Sequence, residues 1–541
     1  MNRNLHVAAF VFVVAIFSAA AWADEHAAHA LGKVDFPASC ASTVQVDFDR
    51  AVALLHHMTY PQAREAFAKI AAADPGCAMA HWGIAMTLFQ PLWPTRPDLD
   101  TRARGWDEVQ KAIALKPPTE RERLFIAAAA AFFQEPASND YWLRIRRWEQ
   151  AQKQAADAYP DDDEALAFYA LAHLAVAPAD ATARRYSDES AAMLMRVYRH
   201  NPDHPGAMHY LVHANDVPGR ERESLEITRK YESVAPRNPH ALHMPTHIYT
   251  RLGDWDGVIR GNLLAADAAL EFPAGDRGQY VWDEFPHAIE YLVYADLQKG
   301  RDTAAAAQVQ RLRETANLEP TFKTAFHQAS TQARYALEQR DWVAAAAIVP
   351  REPASVDWDR FAWPEAISRF ARGLGAAHLG DLDEARAQRA ALQRLEDAMA
   401  KAGEDLFARN IRMLGLELAA WRAHMEGKYE SSIGLMIEAS ELEASTPKHA
   451  VTPGPTLPAD EQLGDMLMEQ EQAPAALVAY QRALEHYPRR FNSLLGAARA
   501  ARTVRNDEAA RAFYQELLAV AGDGERKPAV LEARSFLAQK R

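Results

Sequence analysis

Helical periodicity runs through almost the whole chain and constrains its fold more than any other feature. After Cys40, segments of about 10 to 16 residues carry apolar side chains at positions i, i+3, i+4 and i+7. Pro, Gly or Asn-Asp turns separate these segments, as expected where helices end. The sequence contains no sustained alternation of apolar and polar residues, so a β-sheet is not supported. We therefore predict an all-α protein.

The composition agrees with a folded protein of this class. Hydrophobic residues occupy 49% of the 541 positions, and the 24 Gly and 30 Pro are too few for a collagen-like or low-complexity chain. The formal net charge is −13 and the sequence has no block of Lys or Arg, so the basic surface of a nucleic-acid-binding protein is absent. An acidic surface is compatible with cationic partners, including metal ions.

Small, aromatic, apolar and Pro positions recur at fixed offsets in two parts of the chain. They are Ala476, Tyr480, Ala483 and Pro488 in the C-terminal part, and Ala63, Phe67 and Pro75 near the N-terminus. This spacing resembles that of the tetratricopeptide-repeat family over most of residues 46–520, with irregular repeat lengths. The resemblance implies a solenoid of stacked helical hairpins whose first helices line a concave groove. It implies little about function, because that fold serves binders of many kinds.

Pro-rich and turn-rich stretches divide the chain into five parts. We predict a signal peptide over 1–23, an N-terminal segment over 24–45, a helical solenoid with a His-rich groove over 46–444, and C-terminal repeats over 460–541. Residues 445–459 hold Pro447, Pro453, Pro455 and Pro458, and a helix cannot persist there. We interpret this segment as a linker, with a lid over the groove as the alternative.

The N-terminus has the pattern of a secretory signal. Arg3 provides a basic start, residues 7–22 form an apolar run, and Ala21 and Ala23 place small residues at −3 and −1 before Asp24. The apolar run is shorter than the roughly 20 residues that a membrane-spanning helix needs. We therefore predict cleavage after Ala23 and a mature protein that is periplasmic or secreted and has no membrane span.

Cys40 and Cys77 are the only cysteines in the chain. Export would place them in an oxidising compartment, where pairing is favoured. A disulfide would tie the N-terminal segment to the second helical hairpin and could stabilise the fold by about 3 to 4 kcal/mol. The alternative is a pair of small buried thiols.

Histidine is concentrated in one part of the chain. Of the 20 His residues, six lie between positions 204 and 247, and they include the pairs His209/His213 and His243/His247. Positions i and i+4 lie on one helix face, so each pair can direct two imidazoles to one point. Pro245 removes a backbone hydrogen bond inside the second pair and is expected to kink the helix, which would change the aim of His243 relative to His247.

The two His pairs stand 34 residues apart, which is the repeat length of the resembled family. Pro202 and Pro236, which end the preceding helices, show the same offset. In that family's register, both pairs and His240 fall at positions that face the concave groove. Adjacent stacked helices lie about 8 to 10 Å apart, so their imidazoles can converge. We predict that the two pairs together bind Zn²⁺ in a tetrahedral site, or Cu²⁺, Ni²⁺ or Fe²⁺.

Other side chains can complete or orient this site. His240 and His287 are further candidate ligands, the latter on a helix that should stack beside the second His helix. Asp216 and Glu290 each follow a histidine by about one turn. Either acid can orient an imidazole or act as a general acid or base beside a metal-bound water.

Two classes of function remain open for the sequence. In the first, the groove binds a peptide, protein or small molecule, and the histidines hold a transition metal or the ligand itself. In the second, the protein is a periplasmic metalloenzyme, hydrolytic with zinc and oxidative with copper or iron. The sequence has no phosphate loop or dinucleotide glycine fingerprint, so we expect no nucleotide cofactor. A third reading makes the histidines structural, copied when a repeat was duplicated.

Overall fold

A computed structural model describes residues 30–93, 95–275, 277–522 and 527–539. The predicted signal peptide and its cleavage site lie outside these residues. Within the described part, helices follow one another from residue 45 onward, and the strands are confined to one short antiparallel pair. The prediction of an all-α solenoid of helical hairpins is therefore confirmed.

The helices of the first half are α1 (Gln45–His56), α2 (Tyr60–Ala73), α3 (Ala78–Met86), α4 (Leu99–Ala114), α5 (Glu120–Phe133), α6 (Tyr141–Ala158), α7 (Asp163–Ala175), α8 (Ala183–His200), α9 (Pro205–Asn215), α10 (Leu225–Val234), α11 (Pro239–His243), α12 (Pro245–Leu252) and α13 (Trp255–Ala269). The strands are β1 (Pro273–Ala274) and β2 (Tyr280–Val281). In this pair Pro273 lies opposite Val281, and Ala274 lies opposite Tyr280.

The helices of the second half are α14 (Glu284–Gln298), α15 (Asp302–Glu314), α16 (Phe322–Glu338), α17 (Trp342–Ala346), α18 (Ala362–His378), α19 (Leu382–Lys401), α20 (Asp405–Met425), α21 (Tyr429–Ala444), α22 (Ala459–Glu469), α23 (Ala473–His486), α24 (Phe491–Thr503), α25 (Asp507–Ala521) and α26 (Pro528–Ala538). Short 3₁₀ helices cover Ser42–Val44 and Trp358–Arg360.

Tight turns join the two helices of a hairpin. Gly253 ends α12 in the left-handed conformation, with φ of 65°, which Gly adopts without the strain that a Cβ would cause. Asp254 then caps α13 by accepting a hydrogen bond from the backbone N–H of Gly257 at 3.1 Å. Asp381 caps α19 in the same way through the N–H of Glu384 at 3.1 Å. Such short connections place consecutive helices side by side as antiparallel neighbours.

The recurring aromatic positions have a common packing role. A Cβ on Gly496 would lie 2.3 Å from the ring of Tyr480, and a Cβ on Gly83 would lie 2.3 Å from the ring of Phe67. In both places the aromatic side chain of a hairpin's second helix lies against a Gly on the next helix, 16 residues further along the chain. The repeat spacing therefore reflects a close approach that only Gly allows.

The C-terminal repeats pack back onto the middle of the chain. The guanidinium of Arg490 is fully buried and donates to Tyr294 Oη at 2.9 Å, to Glu338 Oε1 at 2.8 Å and to Glu461 Oε2 at 2.9 Å. Helices α14, α16, α22 and α24 are thus held at one point. Arg96 and Glu404, 308 residues apart in the chain, form a further ion pair at 3.1 Å. These contacts between residues far apart in the sequence show that the solenoid curls back on itself.

Residues 445–458 run along this enclosed face. Arg334 donates to the carbonyls of Pro455 at 2.8 Å and Gly454 at 3.1 Å, and Tyr291 donates to the carbonyl of Thr452 at 3.2 Å. Lys448 reaches Asp216 Oδ2 at 2.6 Å. The backbone of this Pro-rich segment is therefore bound to side chains of α14 and α16, beside the histidine-bearing helices.

A disulfide joins Cys40 and Cys77, with their Cα atoms 4.6 Å apart. It fastens the N-terminal segment to the start of α3. No helix among the described residues is both long enough and apolar enough to cross a membrane.

Candidate metal centre

Repeated helix starts position the histidines. His204 caps α9 by accepting from the N–H of Ala207 at 3.0 Å, and Asn238 caps α11 by accepting from the N–H of Ala241 at 3.0 Å. In each helix a Pro occupies the first turn. The two caps are 34 residues apart. His209 and His243 therefore occupy the same position relative to the start of their helices, and so do His213 and His247 relative to the same caps.

His209, His213 and His240 form the first of two histidine groups. Their ligand atoms lie within 4.8 Å of one another. The Nε2 atom of His209 lies 3.1 Å from Nε2 of His213 and 3.0 Å from Nε2 of His240. His209 and His240 are at most 1% exposed, and His213 is partly buried. We call this cluster group A.

His243, His247 and His287 form the second histidine group, group B. Their ligand atoms also lie within 4.8 Å of one another, and the Nε2 atoms of His243 and His247 are 3.0 Å apart. All three rings are at most 1% exposed. The centroids of the His243 and His287 rings are 4.1 Å apart, so the group is compact.

The two groups are neighbours within one buried core. Ring centroids of His213 and His247 are 6.0 Å apart, and those of His240 and His243 are 6.1 Å apart. The structure therefore differs from the single tetrahedral site that the sequence led us to expect. His240 rather than His243 lies opposite His209, and His287 on α14 completes the second group.

Pro245 interrupts the helix between two histidines of group B. Helix α11 ends at His243 and α12 begins at Pro245, and Met244 between them keeps right-handed helical dihedrals, with φ of −52° and ψ of −42°. The Nε2 atoms of His243 and His247 lie 3.0 Å apart across this break. The expected effect of Pro245 on the aim of His243 stays a prediction.

In four of these rings, the Nδ1 atom forms a hydrogen bond to an oxygen atom of the protein. The acceptors are the His56 carbonyl for His209 at 2.6 Å, Glu284 Oε1 for His240 at 2.9 Å, Asn262 Oδ1 for His243 at 2.7 Å and Asp216 Oδ2 for His247 at 2.9 Å. A carbonyl, an amide oxygen or a carboxylate can only accept, so Nδ1 carries the proton in each ring. In the neutral rings, Nε2 then presents a lone pair to its neighbours.

The two carboxylates in this set stay ionised. Burial alone would raise the pKa of Asp216, but Lys448, Arg251 and His247 hold it well below its ordinary value. Burial likewise opposes ionisation of Glu284, but Lys323 at 2.6 Å and His240 hold the pKa of Glu284 well below its ordinary value. Both acids therefore act as permanent acceptors.

His287 is oriented through a relay of two further residues. Its Nδ1 lies 2.8 Å from Nε2 of His327, and Nδ1 of His327 lies 2.5 Å from Glu290 Oε2. Because Glu290 accepts from His327, His327 in turn accepts from His287. The Nε2 atom of His287 is left with a lone pair and has no hydrogen-bond partner among the described residues.

Burial keeps the imidazoles neutral. It lowers the pKa of His209, His213, His243 and His287 well below the ordinary value, and neighbouring histidines lower it further. Burial also lowers the pKa of His247, to about 4, although Asp216 opposes this shift. At neutral pH these rings are in the form that binds metal ions.

Asp216 and Glu290 each accept hydrogen bonds from several neighbouring side chains. Asp216 divides its oxygens among His247, Arg251 and Lys448, and Glu290 accepts from His327 and from Ser330 at 2.6 Å. Neither carboxylate belongs to a histidine group within the described part of the chain. As a general acid or base, each would first have to give up these contacts.

Several residues that support these groups were assigned no role at the site from the sequence. They are His56, Asn262, Glu284, Tyr291, His327 and Lys448. The distance along the chain explains this, since Glu284 lies 44 residues after His240 and His327 lies 40 residues after His287. No local spacing pattern marks such contacts.

A third cluster, of His56, Glu164 and His204, is a closed hydrogen-bond network. His56 contacts Tyr210 Oη at 3.0 Å and Glu164 at 2.7 Å, and His204 contacts Glu164 at 3.2 Å. The remaining ring nitrogen of His204 caps α9. Every ring nitrogen in this cluster thus has a partner, so the cluster is structural and holds the His56 carbonyl in place for His209.

No model of a known protein family matches the sequence, and no curated protein matches it either. Among solved structures, the chain is similar to one described as the crystal structure of APC/C hetero-tetramer Cut9-Hcn1. The two share 14% sequence identity and a TM-score of 0.30 over 91% of this chain and 89% of the other. A likeness at this level carries no functional argument, so function rests on the residues of the site itself.

Proposed function

We propose that this protein binds two transition-metal ions, one in group A and one in group B. The observation that carries the proposal is the pair His243 and His247, whose Nε2 atoms face each other at 3.0 Å while both Nδ1 atoms donate elsewhere. Two lone pairs at this distance repel each other unless a cation lies between them. His209 and His240 repeat the arrangement at 3.0 Å in group A.

The distances support a metal ion as that cation. Two imidazole nitrogens bound to one ion at about 2.1 Å lie about 3.0 Å apart at a right angle and about 3.4 Å apart in a tetrahedron. The observed separations of 3.0 and 3.1 Å fall at the short end of this interval. A shared proton is disfavoured in group B because the pKa values of its histidines are lowered.

The donor set indicates which ions fit. Both groups consist of imidazoles, and within the described residues neither includes a thiolate or a carboxylate. Ca²⁺ and Mg²⁺ require oxygen ligands, so both are disfavoured. Imidazole suits zinc, copper, nickel and iron, and Cu²⁺ is bound most tightly in the first-row series. Acceptors on Nδ1 fix the tautomer and raise the basicity of Nε2, as they do around known metal ligands.

The number of ligands favours a catalytic role as a second candidate function. Each group offers three protein ligands, as catalytic zinc sites do, whereas structural zinc sites use four. A metal ion with an open position supplies a Lewis acid and, if it is copper or iron, a redox couple. The protein's own part would be to fix six imidazoles and to exclude bulk water from them. A role limited to binding a partner protein on the helical repeats is the alternative.

Metal analysis of the purified chain tests the first proposal. After incubation with Zn²⁺ or Cu²⁺ and removal of excess ion, we expect two ions per chain in the wild type. His209→Ala and His243→Ala should each retain one ion, and the double variant none. His200→Ala is the matched control, because the side chain of His200 is 75% exposed and pairs with Asp163, which belongs to neither group. A wild type that retains no ion, with an unchanged Tm, would exclude a metal function.

Azide binding to the copper-loaded protein tests the open position. A new charge-transfer absorption band is expected if a coordination position is free for a small ligand. An unchanged spectrum at saturating azide would indicate closed, structural sites and would remove the support for catalysis.

We also propose that the chain is exported. The signal-like N-terminus supports this, as does the Cys40–Cys77 disulfide, because such bonds persist in oxidising compartments. Intact mass measurement of the protein released from the periplasm should give a chain that begins at Asp24. A full-length chain found only in the cytoplasm would contradict the proposal.

A further inference from the structure

A cavity of about 290 Å³ lies next to the histidine core. Thr452 separates the two, since its carbonyl accepts from Tyr291 near His247 while the same residue lines the cavity. Lys448 and Arg251, which hold Asp216, also line it. The volume is at the lower end of the range for small-molecule sites, about 300 to 1,000 Å³.

The walls of the cavity are mainly apolar and aromatic. Phe326, Trp363, Ile367, Met413 and Leu414 contribute to them from α16, α18 and α20. These side chains are between 1% and 8% exposed. A ligand with an apolar group of about the size of one aromatic ring would displace water from these apolar walls, which favours binding. The faces of the aromatic rings also attract cations.

Glu417 supplies an unusual polar group to this cavity. It lines the cavity from α20 at 2% exposure, and its Oε2 atom has no hydrogen-bond partner among the described residues. A buried carboxyl oxygen without a partner destabilises the folded protein. Glu443 on α21 lines the same cavity and accepts from the N–H of Ala459 at 3.2 Å.

Most of the other charged groups around the cavity already have counter-charges. The pairs are Arg251 and Lys448 with Asp216, Arg184 with Asp188, and Asp460 with Arg482. Asp180 accepts from the N–H and hydroxyl of Thr182, His449 Nδ1 accepts from the N–H of Val451, and His486 is exposed. Among the acids of this lining, Glu417, Glu443 and Asp180 thus have no ion-pair partner among the described residues, and of these Asp180 is exposed whereas Glu417 is buried.

We propose that this cavity binds a small apolar amine in its ammonium form, with Glu417 as the counter-ion. The ammonium group would donate to the free Oε2 atom of Glu417, and the apolar part would lie against Phe326 and Trp363. A charge-assisted hydrogen bond of this kind is about twice as strong as a neutral one. Binding of the amine is independent of the metal ions in groups A and B.

Binding should release a proton. Burial, together with Glu443, raises the pKa of Glu417 well above its ordinary value, and burial raises the pKa of Glu443 to about 7. The empty cavity therefore holds a neutral Glu417 carboxyl at neutral pH. When the ammonium ion binds, the carboxyl O–H bond breaks, the carboxylate pairs with the ammonium, and the proton passes to the buffer.

Calorimetric titration of the full chain with three ligands of matched shape tests the proposal. Benzylamine should bind, benzyl alcohol should bind at least about tenfold more weakly, and benzoate should not bind, because a charge-assisted contact contributes about 1.5 to 3 kcal/mol. The apparent enthalpy for benzylamine should vary with the ionisation enthalpy of the buffer. Equal binding of alcohol and amine, or no binding of the amine, would overturn the proposal.

Two substitutions make the test specific to Glu417. Glu417→Gln keeps the shape but cannot form a carboxylate, and it should reduce benzylamine affinity to that of benzyl alcohol. Glu441→Gln makes the same substitution at an exposed position of α21 outside the cavity, and it should leave affinity unchanged. Circular dichroism verifies that both variants fold. Unaltered benzylamine binding in folded Glu417→Gln would exclude Glu417 as the counter-ion.

Discussion

The Nε2 atoms of His243 and His247 lie 3.0 Å apart, and each ring has already committed its Nδ1 proton to Asn262 or Asp216. A helix places the two rings one turn apart, but contacts from α9 and α13 decide which nitrogen of each ring faces inward. The hydrogen-bond partners of these two rings are thus supplied by residues outside α11 and α12.

Asp216→Asn and Glu284→Gln should weaken metal binding at different groups. Each carboxylate holds the Nδ1 proton of one ligand, His247 in group B and His240 in group A. Loss of such a contact typically reduces metal affinity about 10- to 100-fold. In each variant, competition with a chelator should show that one of the two ions per chain is bound more weakly. Each variant is the control for the other. If either variant lowers the affinity for both ions, the two groups do not act separately.

The metal-free protein should lose stability as the pH falls from about 6.5 towards 4, the interval between the ordinary pKa of His and the value of about 4 for His247. In this pH range the histidines of the unfolded chain are protonated, whereas the buried histidines of the folded chain stay neutral. A fall in pH therefore favours unfolding. Each such histidine contributes a slope of about 1.4 kcal/mol per pH unit. Urea unfolding in EDTA at pH 7, 6 and 5 measures the effect, and a free energy of unfolding that is flat over this range would contradict it.

Reduction of the Cys40–Cys77 bond should destabilise the N-terminal part of the solenoid. The two cysteines are 37 residues apart, and closing a loop of this length stabilises the folded state by about 4 kcal/mol in the chain-entropy model. Urea unfolding of Cys40→Ser/Cys77→Ser beside the oxidised wild type measures the difference. Equal midpoints would show that the bond contributes little.

Arg490→Ala should destabilise the protein far more than Arg499→Ala, although both side chains pair with glutamate. Arg490 is fully buried between Glu338 and Glu461. Its removal leaves the buried Glu338 without its ion-pair partner and Glu461 with Arg340 alone, at a cost of about 3 to 5 kcal/mol. The Arg499 side chain is 50% exposed and pairs with Glu532, a contact that contributes about 0 to 1 kcal/mol. Thermal unfolding compares the variants, and similar Tm values would argue against the closure role of Arg490.

Much of the fold could be predicted from the sequence, because helices, their caps and their turns depend on interactions between residues close together in the chain. The Gly-Asp turn at 253–254, the caps at His204 and Asn238, and the Tyr480–Gly496 contact each lie within one or two helices. The spacing of His209 from His213 and of His243 from His247 likewise predicts which rings share a helix face. The confirmed all-α solenoid follows from these short-range rules.

The grouping of the histidines could not be predicted in this way. The sequence placed the two i,i+4 pairs at one site, whereas the structure assigns His240 to the first pair and His287 to the second. This grouping joins residues of α9, α11, α12 and α14, so it depends on how these helices pack against one another. The same holds for Glu290, which is connected to His287 through His327, 37 residues further along the chain.

The sequence by itself determined the helices, their turns and the face of each helix that carries imidazoles, because hydrogen bonds and apolar periodicity act over a few residues. The tertiary structure alone decided that the solenoid curls onto itself, that Arg490 closes it, and that six imidazoles meet as two groups of three. Those features depend on contacts between residues dozens of positions apart, where packing and the pairing of buried charges, rather than local spacing, select the arrangement.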